Sequence, residues 1–185
     1  MSLYQQIAKI GPRFFSDATL FKYGFNLSPM YRRTTARITA VSDDLMRVAI
    51  RLPISYKNRN YVGSIFGGSL FASVDPIPMV QLINILDSAY IVWDKAAAVR
   101  FKAPAREDLY AVFEYTPSEI EQLIATVEAE GETEIVKTTR LTNQDGSQVF
   151  CEVDKTIYVA TKAFFKQKKQ RRAEPSSQAM GQATG

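Results

Sequence analysis

The chain has 185 residues, 46% of them hydrophobic and 23% charged, a mixture that fits one soluble domain with a sizeable core. One cysteine and no histidine exclude an internal disulfide, a multi-cysteine zinc site, Ser-His and Cys-His nucleophile pairs and histidine-based metal centres. The net charge of +4 owes much to the last stretch, KAFFKQKKQRRAEPSSQAMGQATG, so neither a nucleic-acid groove nor a membrane surface is implied by the body of the chain. Acid–base chemistry falls to carboxylates, lysine, tyrosine or backbone amides.

In chain order, residues 1–30 carry Leu3, Ile7, Ile10, Phe14, Phe15, Leu20 and Phe21 and read as one or two short helices broken near Gly11-Pro12. No apolar run reaches the ~20 residues of a bilayer span, and MSLYQQIAKIGPR lacks the charged-then-apolar order of a signal peptide, which makes the cytoplasm the expected address. From Thr34 the pattern alternates, and TARITAVSDDLMRVAIRLP reads as two strands joined at Ser42-Asp43-Asp44. A polar loop, ISYKNRNY, leads to NYVGSIFGGSLFASVD. There Gly63, Gly67 and Gly68 permit a sharp turn and close approach, while Leu70, Phe71 and Val74 fall at helical spacing. Asp75 lies beside that buried stripe, where an unpartnered carboxylate is costly.

Pro76 and Pro78 interrupt the helix through LFASVDPIPMVQLINIL, so a kink or restart is expected at Asp75-Pro76, where Asp75 could serve as the cap of the second segment. Strand texture returns in YIVWDKAAAVRFKAP and DLYAVFEYT. SEIEQLIATVEAEG reads as an amphipathic helix, with Ser118 and Glu121 as its capping box. EIVKTTRLTN and QVFCEVDKTIYVAT form a hairpin about Asn143-Gln144-Asp145-Gly146, with Cys151 as a strand residue. The expected organisation is an N-terminal helical extension (1–30), one α+β domain of about six antiparallel strands around a central helix (31–163), and a basic, disordered tail (164–185).

This order of elements resembles the hotdog fold. The opening loop is similar to that of the phenylacetate-pathway-type acyl-CoA thioesterases, with Asn60, Gly63, Phe66, Gly67, Gly68 and Asp75 in the spacing of their motif. GGSLFASVDP and YIVWDKAAAVRFKAP resemble, more closely still, an uncharacterised hotdog subgroup, over roughly residues 30 to 160. Phe66 stands where the thioesterases carry histidine, and the prolines after Asp75 are a second departure. The resemblance implies thioester hydrolysis, with Asp75 as catalytic carboxylate and Asn60 and the Gly63 N–H in support. Asp94 lies near a small polar active-site residue of related strands, with Lys95 available to relieve a carboxylate pair. Phe66, Phe71 and Met79 would shape an acyl tunnel beside Gly67 and Gly68, and Arg100, Lys102 and Arg106 would receive coenzyme A phosphates. Coenzyme A enters as part of the substrate, with no separate cofactor or metal, and a dimer or dimer of dimers is implied. Two other functions stay open: a non-catalytic acyl or acyl-CoA binder, and a lipid-handling module anchored by its aromatic N-terminus and basic C-terminus. For Asn60 an ordinary turn role is equally open.

Overall fold

The computed structural model describes residues 15–173 except Asp87. The predicted break at Gly11-Pro12 and residues 174–185 of the basic tail lie outside the described residues. Helix α1 (Asp17–Leu27) starts where the Ser16 hydroxyl accepts the Thr19 N–H, and it buries Ala18, Phe21 and Phe25 at helical spacing. Ser28 ends it and caps α2 (Pro29–Arg33), whose Pro29 occupies a first-turn position that needs no N–H donor. Phe25 packs edge-on against fully buried Tyr31.

Strands β1 (Arg37–Val41) and β2 (Arg47–Leu52) form the predicted hairpin. Its turn is tied by the Ser42 hydroxyl donating to Asp44 and by the Arg47 N–H donating back to Ser42. The glycine-rich segment opens α3 (Gly67–Val74), which breaks at Asp75 and continues as α4 (Pro76–Ile85). Leu70, Val74, Ile77 and Gln81 keep one buried stripe through the break, so the apolar face is not rotated by the prolines. Burial of each large aliphatic member contributes about 1.5–3 kcal/mol.

Strands β3 (Tyr90–Phe101), β4 (Leu109–Glu114), β5 (Glu132–Thr142) and β6 (Val149–Thr161) complete an antiparallel six-stranded sheet in the order β1-β2-β4-β5-β6-β3. The sheet curves around α3 and α4, as the hotdog resemblance implies. Helix α5 (Pro117–Glu130) packs on its inner face through Ile120, Leu123 and Val127, against Leu82, Ile157 and Val159. Its capping box differs from the expected one. Thr116 and Glu119 form it, with Pro117 in the first turn, because proline's fixed φ starts the helix one residue ahead of Ser118. Residues of the predicted basic tail up to Ala173 lie in α6 (Lys162–Ala173). That helix docks through Phe165 on Trp93, which stacks on Tyr158, and through Phe164 on Gly131.

Candidate functional site

The break at Asp75 has a local cause. Pro76 and Pro78 have no N–H for the carbonyls of Ala72 and Val74, and the Tyr31 hydroxyl donates to the intervening Ser73 carbonyl at 2.9 Å. Asp75 keeps helical dihedrals, and its N–H still reaches Phe71 O at 2.9 Å. Its side chain makes no cap bond to α4, so the capping role open to it in the sequence is not taken up. The carboxylate instead meets the Lys155 ammonium, Nζ to Oδ1 2.5 Å.

Lys155 was not singled out in the sequence, although its position carries a signal. Along β6, Cys151, Val153, Ile157 and Val159 are buried, and Lys155 falls in that same inward register. Its side chain is 4% exposed. A second carboxylate, Asp94 Oδ2, lies 2.9 Å from the same Nζ.

Asp94 owes its aim to a β-bulge. In the β3–β6 ladder Asp94 faces Ile157 and Ala97 faces Lys155, with Lys95 as the extra residue between them. The bulge lets Asp94, Ala97 and Val99 share the inner face, which strict alternation forbids. Burial pushes the Asp94 carboxyl above its ordinary range; Lys155 opposes that and Asp75 adds to it. Asp94 Oδ1 is buried and lacks a hydrogen-bond partner among the described residues. The site thus gathers two carboxylates and one ammonium from a helix break, an edge strand and an inner strand; the resemblance puts forward Asp75 and Asp94, and Lys155 joins them here.

The other predicted residues are placed as follows. Asn60 builds the loop: its Oδ1 accepts the Val62 and Ser64 N–H groups and its Nδ2 donates to the Ser64 hydroxyl at 2.9 Å. Gly63 has φ +78, and its N–H donates to Asn60 O at 3.0 Å. Both are engaged in turn chemistry in this chain. Phe66 precedes α3 and is 58% exposed, its ring lying where any Cβ at Gly68 would fall, and Phe101 covers Gly67 in the same way. The Gly67 and Gly68 N–H groups, first in the helix, have no intrahelical acceptor. Phe71 stands 5.8 Å below the Lys155 ammonium, and Met79 is half-buried against Leu82 and its neighbours.

The expected partner of the carboxylate pair was Lys95, and that is corrected: as the bulge residue it pairs with Glu134 instead. Arg100 lies on the outer face of the sheet, 2.5 Å from Asp154 and near Glu152, which Arg140 also binds. Lys102 faces the same Glu152 and helps hold its carboxyl below the usual range, after the leading contribution of the Arg140 hydrogen bond and against burial. The basic edge is therefore neutralised by its own sheet and faces away from Asp75, and Arg106 is exposed in the loop before β4. A cleft of 340 Å³ between α5 and β5, lined by Tyr115, Ile120, Leu123, Ile135 and Lys137, contains none of the predicted site residues.

A sequence profile for a domain of unknown function, DUF4442, matches residues 17–159. The chain belongs to the DUF4442 family. No curated protein matches its sequence. Among solved structures, this DUF4442 chain is similar to a Pseudomonas aeruginosa protein of unknown function described as a probable thioesterase. The identity is 23%, the TM-score 0.68, and the match covers 77% of this chain and 95% of that one. A Chlorobaculum tepidum protein of unknown function matches at 16% identity and TM-score 0.62, covering 77% and 93%. A Haemophilus influenzae thioesterase matches at 14% and 0.56, covering 78% and 90%. At such identities the likeness is one of fold, and the fold is the hotdog.

Proposed function

We propose that this chain is a thioesterase-like hydrolase acting on an acyl thioester such as an acyl-CoA, with Asp75 as its catalytic carboxylate. The observation that carries the reading is the engagement of Asp75. At a helix break whose cap it does not serve, the carboxylate is held by a buried lysine and remains 37% exposed. A carboxylate so placed can take a proton from water as the oxygen attacks the thioester carbonyl. The C–S bond then breaks, and the departing thiolate takes up a proton. The thioesterase descriptions of fold neighbours support this reaction class.

The helix dimensions support a two-subunit site. Asp75 lies eight residues beyond Gly67, about 12 Å along the axis, whereas a general base and an oxyanion donor both need to lie about 3 Å from the reacting groups. Asp75 and the Gly67 and Gly68 N–H groups of the same chain are therefore too far apart to serve one carbonyl together. A second copy presenting its Gly67 and Gly68 N–H groups satisfies the requirement, and β3, a 12-residue edge strand with exposed Ala96, Ala97 and Ala98, is the surface for pairing. In this arrangement Phe66 and Phe101 border the acyl group.

The test is hydrolysis of short, medium, long and aromatic acyl-CoA by wild type and Asp75→Asn, with solution mass measured alongside. Turnover that collapses at least about a hundredfold in a folded variant is expected. A second reading, a non-catalytic acyl binder, is favoured by the internal engagement of Asn60 and Gly63. Saturable calorimetric binding without turnover would establish it.

A further inference from the structure

We propose that Lys155 is the positioning residue of this site: one buried ammonium, shared by Asp75 and Asp94, fixes one oxygen of the Asp75 carboxylate and leaves the other toward solvent. For its kinetic arm this rests on the thioesterase reading; its structural arm does not. A lysine between buried Val153 and Ile157 occupies a position where an aliphatic residue would pack without desolvation. Placing an ammonium there is costly unless it is paired, and the pairing is unusually complete. Nζ lies 2.5 Å from Asp75 Oδ1 and 2.9 Å from Asp94 Oδ2. The Asp75 side chain remains 37% exposed.

Two local departures from regular structure converge on that nitrogen. Asp75 sits at the proline break with helical dihedrals kept, and the Lys95 bulge turns Asp94 inward, without which strict alternation would face it away from Lys155. The two carboxylates share the one ammonium. The other groups bearing on them are Tyr115 just after β4, with Lys137 of β5 over its ring at 4.4 Å and Glu119 of α5 bonded to that lysine, while Phe71 adds a ring face. A protonated amine between two carboxylates has no free electron pair, so Lys155 is not the nucleophile. Its function is to orient Asp75 and to keep two like charges from repelling each other across the site.

The experiment uses the full chain as wild type, Lys155→Met, Lys155→Arg and Asp94→Asn. Carboxyl ¹³C NMR of aspartate-labelled protein, assigned through Asp75→Asn and Asp94→Asn, follows the titration, and kcat/KM against pH is measured on whichever acyl-CoA the wild type hydrolyses. In Lys155→Met the pair titrates at least about one pH unit higher, and kcat falls about tenfold or more while KM changes little. Lys155→Arg restores most of both, and Asp94→Asn moves the Asp75 titration the opposite way. A folded Lys155→Met whose titration and pH profile superimpose on wild type overturns the proposal. If Lys155→Met does not fold, an unchanged Asp75 titration in Asp94→Asn overturns it. If no thioester is turned over, the titrations still decide the role of Lys155, and only the hydrolase reading falls.

Discussion

Tyr31→Phe isolates one hydrogen bond that supports the helix break. The Tyr31 side chain is fully buried, and its hydroxyl donates to Ser73 O at 2.9 Å, two residues before Asp75. Phenylalanine keeps the ring and its edge contact with Phe25 at 5.2 Å, so the loss is confined to the donor. It leaves the Ser73 carbonyl buried between two carbonyls whose proline partners cannot donate. Leaving a buried acceptor without a partner costs about 1–3 kcal/mol, and for a chain of this size each kcal/mol lowers Tm by about 2–4 °C. Urea denaturation followed by circular dichroism is expected to show a lower midpoint at unchanged m. A change below about 0.5 kcal/mol would refute the assignment, because it would mean that the Ser73 carbonyl has another donor or that the break relaxes freely.

Three further outcomes are expected. Gly131 has φ +86, and a Cβ there would fall 2.2 Å from the Phe164 ring. Gly131→Ala should therefore lose about 1–3 kcal/mol and expose α6 to faster proteolysis, whereas Gly146→Ala, at φ +74 in open space, should lose only about 1 kcal/mol. Burial works against the charge of Asp108, but the Arg51 hydrogen bond, the Ile54 N–H and the Arg51 charge outweigh it and hold the carboxyl below its reference of 3.8. The unfolded chain binds its proton first, so this contribution, roughly 1 kcal/mol with Arg51 half exposed, is present above pH 3.8 and lost as pH falls below it. Asp108→Asn should flatten that acid limb in a stability–pH profile. Burial raises Tyr115 and Tyr31 above their reference of 10.0, with Glu119 and Asp94 adding to the first and Arg37 opposing the second. The folded state then keeps protons that the unfolded chain releases. Stability is expected to fall above pH 10.0 by up to about 1.4 kcal/mol per unit for each tyrosine, and Tyr115→Phe should remove one such share.

Local patterns determined much of this protein. Alternation around Ser42 and around Asn143-Gln144-Asp145-Gly146 marked two hairpins, helical spacing marked α3 to α5, and paired prolines placed the break at Asp75, because each of these rules acts over a few residues. Resemblance of the element order and of the loop motif to hotdog proteins indicated the architecture and brought Asp75 forward, and resemblance along β3 did the same for Asp94. What the tertiary structure decided were the partners. Whether Asp75 caps α4 or binds a cation depends on a residue 80 positions later, and Lys95 leaves the pair because one bulge changes which side chains share a face. Lys155 appears in sequence as a polar interruption of a strand. Its meaning comes from sheet register, which sets opposite it an edge strand and a broken helix that no local pattern in β6 encodes.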